Sequence, residues 1–163
     1  MMTGQNVPKL QILILGLGNP LMTDDGIGIF VMKELKKLKW PPEVQLLEVG
    51  TSVFYYLEEI SRSQHIIAID ALLAGGNPGS LYRLNIDDVR NHKEQDLHGL
   101  SLPGVIKWAK NITGLPETLT IYGLEPEDLG SGVTPTSTLQ RVGIKLVALI
   151  IDETQRLLGN KKG

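Results

Sequence analysis

Apolar positions alternate along the chain between short continuous runs and runs of helical spacing. Leu10 to Leu15 is an apolar run, broken only by Gln11 and bounded by Gly16, which predicts a buried strand. From Gly26 onward Ile27, Val31, Leu35 and Leu38 recur at helical spacing until Pro41-Pro42, with Asp24 placed to serve as N-cap. Val44 to Val49 reads as a second strand, a short helix opens at Thr51 or Ser52 and runs through Ile60, and His65 to Asp70 is a third buried strand. The turn-rich Ala74 to Gly79 leads into Ser80 to Leu84; so short a link returns the chain antiparallel or runs it along the sheet edge. Asp87 to Asp96 is a polar loop or irregular helix, Leu102 to Ile112 a helix with Pro103 in its first turn, and Thr118 to Leu124 a fourth long strand. After a loop rich in Gly and acid from Glu125 to Val133, Thr134-Pro135 suits the cap and first position of a helix running to Leu158. Its buried face is Leu139, Val142, Leu146, Ile150 and Leu157, and Gly159 ends it. Strands alternating with helices predict a three-layer α/β/α sandwich around a mostly parallel, mixed sheet, in one domain spanning residues 1–163 with residues 1–9 expected to be flexible.

Composition narrows the chemistry. The chain has 163 residues and a formal net charge of −2, which gives no electrostatic footprint for nucleic acid. It has no cysteine, so thiol nucleophiles, disulfides and thiolate metal sites are excluded and any metal must be held by oxygen and imidazole. No apolar run nears the ~18 residues needed to span a bilayer, and no cleavage signal follows the first run, so a cytoplasmic protein without membrane insertion is expected.

In open α/β sheets, sites gather at the carboxyl ends of strands. Asp25 follows the first strand through the turn Gly16-Leu17-Gly18-Asn19-Pro20, and Asp70 ends the third strand, where an unpartnered carboxylate is costly. If these strands are neighbours, the two carboxylates share one cleft. Asp25 also suits a helix first turn, where the macrodipole favours a carboxylate for structural reasons alone. Of three histidines, His65 and His92 read as structural or solvated, whereas His98 stands just ahead of a helix start, where a loop can aim it into a cleft. A dinucleotide fingerprint would need a third Gly or Ala where Leu21 stands, and no nucleophile elbow, P-loop or zinc helix occurs.

The stretch Gly16-Leu17-Gly18-Asn19-Pro20-Leu21-Met22-Thr23-Asp24-Asp25-Gly26-Ile27-Gly28 resembles the maturation endopeptidases of nickel–iron hydrogenases. Further matches follow in order: Asp70-Ala71, Asn77-Pro78-Gly79-Ser80, His98-Gly99-Leu100 and Gly132-Val133-Thr134-Pro135-Thr136. The resemblance covers about residues 10–158. It implies a fold similar to the germination protease and a monomer that forms a transient complex with a hydrogenase large-subunit precursor. It also implies a triad of Asp25, Asp70 and His98 that meets the precursor's nickel before the C-terminal extension is removed. Whether the triad cleaves or only recognises metal stays open on this reading, as does the metal held by the isolated protein. Gly16 and Gly18 are expected to let the backbone approach the substrate or cross the sheet edge closely, and Asn19 to bond the turn, structural roles first. Two rivals remain: a non-catalytic metal-dependent assembly factor, and a nucleotide-binding α/β domain with Glu48 near the end of its second strand.

Overall fold

The computed structural model describes residues 10–85 and 102–159. The expected flexible start, the polar stretch Asp87 to Asp96, and both His92 and His98 lie outside the described residues. Five strands form one sheet: β1 (Leu10–Leu17), β2 (Val44–Gly50), β3 (Ser63–Ala71), β4 (Leu81–Asn85) and β5 (Thr118–Leu124), in the order β2-β1-β3-β5-β4. The first four strands of that order run parallel, and β4 pairs antiparallel with β5 through Leu81 opposite Leu124, so the sheet is mixed as expected.

Helices cover both faces. On one, Ile12, Ile14, Ile67 and Ile69 pack against α1 (Ile27–Leu35) and the last helix, α4 (Ser137–Gly159). On the other, Leu13, Leu15, Ile66 and Ala68 pack against α2 (Leu57–Ser61) and α3 (Leu102–Thr113). Strand residues alternate between these two cores because successive side chains point to opposite faces. Since both faces are covered, the strands are continuous apolar runs, not alternating ones.

Three boundaries depart from expectation. Helix α1 stops at Leu35 instead of continuing through Leu38, which is left exposed. The Leu35 carbonyl accepts from the Trp40 indole N–H at 2.8 Å and from the Leu38 amide at 3.0 Å, which turns the chain before the prolines are reached. Helix α4 begins at Ser137, with the Thr136 hydroxyl accepting from the Leu139 amide at 3.5 Å, so the cap is Thr136 and not Thr134. Asp24 does not cap α1, whose preceding residue is Gly26; its fully buried carboxylate turns toward the other end of the chain. The buried face of α4 also contains Glu153, which accepts from Tyr122 Oη at 3.1 Å and Arg83 at 2.8 Å and pairs with Arg156. That cluster bolts the helix to β5 and the edge strand. Among the described residues no helix is long and apolar enough to cross a membrane.

Candidate active site

The strand order places a switch point between β1 and β3. From β1 the chain crosses to β2 on one side; from β2 it crosses back past β1 to β3 on the other, so the following loops diverge and leave a crevice at the carboxyl edge. Asp25 and Asp70 meet there. Gly16 is registered with Ile69, so β1 and β3 end side by side, and Asp70 stands one residue beyond, opposite Gly123 of β5. Asp25 reaches the crevice from a single 3-10 turn, Thr23–Gly26, immediately before α1.

Each carboxylate is held by the backbone. Asp25 Oδ2 accepts from the Asn19 amide at 2.8 Å, and Asn19 Oδ1 in turn accepts from the Leu21 amide at 3.0 Å. Asp70 Oδ1 accepts from the Ala71 amide at 2.8 Å. Gly18 fills the space between them: with φ +108°, a Cβ there would sit 1.9 Å from the Asp25 carbonyl oxygen and 3.2 Å from Asp70 Oδ1. Only glycine leaves room for that arrangement.

Desolvation in the crevice, reinforced by the like charge of Asp25, pushes the Asp70 carboxyl up to about 7 from an ordinary value near 3.8; the Ala71 amide works weakly against this. In the absence of metal the folded chain therefore binds a proton on Asp70 between about pH 4 and 7 that the unfolded chain has released. Stability from this group is full below that window and is lost as pH rises through it. Urea midpoints measured between pH 5 and 8 on chelator-treated protein should fall with rising pH, with the fall concentrated below about 7.

Two side chains build the walls: Asp24, which the sequence offers only as a helix cap, and Glu125, which it places only in a loop. Asp24 clasps the loop after β5: its carboxylate accepts from the amides of Glu127 at 2.8 Å, Asp128 at 2.9 Å and Thr136 at 2.7 Å, and from the Thr136 hydroxyl. Glu125, at the end of β5, accepts from the amides of Ala74 and Gly76 and from Tyr82 Oη. Burial works to raise the Glu125 carboxyl, but the Tyr82 hydroxyl and the amides of the 74–76 turn outweigh it, so it lies below the usual carboxylate range. The signal for both was an acid beside a Gly-rich loop that needs its amides satisfied. The surrounding loops expose Leu21, Leu73, Leu129 and Val133 to solvent.

His65 lies at the amino end of β3, away from the crevice, with Nδ1 2.7 Å from Thr118 Oγ1. Glu48 forms surface ion pairs with Lys36 at 3.1 Å and Lys33 at 3.7 Å. Among the described residues no group of three metal-ligating side chains stands together; the crevice contributes two carboxylates. Two such oxygen donors, each with lone pairs free and one destabilised as an anion by the other, suit a divalent cation that brings further ligands.

Fold and crevice together define an α/β protein with a paired-carboxylate site at a sheet switch point. A family profile described as HycI, hydrogenase maturation protease, matches residues 29–153, and the chain belongs to that family. It is 32% identical over 133 residues to the hydrogenase 2 maturation protease of Escherichia coli, covering 78% of this chain and 81% of that one. It is 31% identical over 132 residues to the hydrogenase expression/formation protein HupD of Rhodobacter capsulatus, covering 77% of this chain but 63% of that protein. The chain thus spans less than two thirds of that relative's length. The structure superposes on the E. coli hydrogenase maturating endopeptidase HybD with a TM-score of 0.81 at 26% identity, covering 90% of this chain and 93% of the other.

Proposed function

We propose that the protein is an endopeptidase that removes the C-terminal extension from the nickel-loaded precursor of a nickel–iron hydrogenase large subunit, acting as a cytoplasmic monomer. The observation that carries this reading is the meeting of Asp25 and Asp70 at the switch point of a hydrogenase maturation protease fold. Nickel arrives with the substrate. Asp25 and Asp70 hold it together with His98, and the crowding carboxylates favour its approach, since a dication relieves their mutual repulsion. Gly18 and Asn19 line the path of the tail, Gly18 because it presents backbone without a side chain. The exposed apolar side chains Leu21, Leu73, Leu129 and Val133 offer the extended tail a surface beside the metal.

The chemistry is addition of water across one peptide bond, giving a new carboxylate on the mature subunit and a free amine on the released peptide. Substrate-borne nickel polarises the scissile carbonyl or the water. In this account Asp25 or Asp70 takes the proton of the attacking water. A triad that only recognises nickel, with water oriented by other groups, is the competing account.

Intact-mass analysis of nickel-loaded precursor incubated with the protein tests the reading. Loss of one short C-terminal peptide is expected with wild-type protein, and no loss with nickel-free precursor or with His98→Ala. An unchanged precursor mass despite formation of a stable complex would sink the protease reading in favour of an assembly factor.

A further inference from the structure

We propose that Asp24 is a positioning residue for the carboxylate pair, holding Asp25 in place by tying its turn to the loop after β5. Asp24 has no exposed surface. Its Oδ1 accepts from Thr136 N at 2.7 Å and Thr136 Oγ1 at 3.0 Å, and its Oδ2 from Glu127 N at 2.8 Å and Asp128 N at 2.9 Å. The backbone adds a zipper along the same seam. Asp24 N donates to Asp128 O at 3.0 Å, Thr23 N to Gly132 O at 2.9 Å, and Gly132 N to Leu21 O at 2.9 Å. Four residues of one loop are thereby fixed to the turn that carries Asp25.

The turn would not keep this shape unaided. Thr23 has φ +49°, a left-handed conformation that a β-branched residue enters only under constraint. The constraint is visible: the Thr23 hydroxyl donates to Gly130 O at 2.7 Å, and its Oγ1 lies 2.6 Å from where a Cβ on Gly132 would sit. A strained non-glycine residue two positions before a candidate metal ligand, held by contacts more than 100 residues away in sequence, is the mark of backbone conformation kept for function. If the clasp opens, Thr23 can return to negative φ. The peptide between Asp24 and Asp25 then rotates, and Asp25 Oδ2 leaves the Asn19 amide that now aims it.

The kinetic arm of the test rests on the protease reading; the structural arm does not. Asp24→Asn places an amide N–H₂ among the donors of Glu127, Asp128 and Thr136, and Thr136→Val keeps the shape but removes the hydroxyl that donates to Asp24, together with the α4 cap it makes at the Leu139 amide. Hydrogen exchange at the Asn19 amide, read against Ile14 in the core of β1, reports whether Asp25 stays aimed. Single-turnover cleavage of nickel-loaded precursor reports the consequence. For folded Asp24→Asn the expectation is faster Asn19 exchange with Ile14 unchanged, and a cleavage rate at saturation lower by about tenfold or more with KM within about twofold. Thr136→Val should show the same pattern to a smaller degree, and it decides the matter if Asp24→Asn does not fold. Unchanged Asn19 exchange in the folded variants overturns the proposal, whatever the rate does. So does faster exchange with an unaltered rate. Should wild-type protein not cleave at all, the protease reading fails while Asn19 exchange still decides whether Asp24 positions Asp25.

Discussion

Gly28→Ala is expected to destabilise the protein severely, although alanine is the better helix former by up to ~1 kcal/mol. Gly28 lies in the first turn of α1 where that turn crosses the ends of β1 and β3. A Cβ there would stand 2.3 Å from Leu17 O, 2.4 Å from Ile69 O and 2.6 Å from Leu17 N. All three are backbone atoms of the two central strands, so nothing can swing aside, and relief requires lifting α1 off the sheet. Overpacking in a core typically costs ~1–3 kcal/mol, and a clash with fixed backbone belongs at or beyond the upper end. A fall in Tm of about 10 °C or more follows for a chain of this size. Gly159→Ala, where a Cβ would meet nothing within 4 Å, is the matched control and should be nearly neutral. Helix propensity and steric conflict predict opposite signs at position 28. A thermal melt of the two variants therefore discriminates cleanly, and a Gly28→Ala protein as stable as wild type would mean that α1 does not sit on the strand ends as described.

Asp70→Asn should move stability and activity in opposite directions. The neutral amide keeps an oxygen for the Ala71 amide but abolishes the like-charge conflict with Asp25 and the cost of an anion in the crevice. At pH 8 the metal-free variant should therefore melt above wild type, by ~2–4 °C for each kcal/mol recovered; at pH 5, where Asp70 already carries a proton, the gain should vanish. Cleavage should fall by about 10²–10⁴, the range lost when a positioned acid–base group is removed. A site kept at the expense of stability behaves this way. Residual cleavage close to wild type would assign Asp70 to recognition alone, and a variant less stable at pH 8 would show that the two carboxylates do not repel each other in the folded protein.

The layers were legible because both faces of the sheet are covered, so β1 and β3 stand out by their apolar runs Ile12 to Leu15 and Ile66 to Ile69. Asp25 and Asp70 were legible as ends of those runs. That they meet was conditional, because adjacency of β1 and β3 depends on strand order, which no local pattern encodes. Asp24 was misread for a physical reason: an acid two residues before a helix satisfies the local rule for a cap, and the partners that claim it lie 103 to 112 residues downstream. Glu153 was passed over because a carboxylate on the apolar stripe of α4 makes sense only with Tyr122 and Arg83 opposite it. The shift of the α4 cap from Thr134 to Thr136 has the same origin, since Thr136 serves helix and clasp at once.

The clasp also bears on when a newly made chain can act. Thr136 leaves the ribosome 112 residues after Asp24, and closing so long a loop comes late in assembly. Strands β1, β2 and β3 can pair before then, yet Thr23 has nothing to hold its strained turn until the segment ahead of α4 has emerged. A nascent chain that stops short of residue 136 would carry both carboxylates without the frame that aims them. On the clasp reading, the frame around Asp25 therefore requires residue 136, whatever has folded before it.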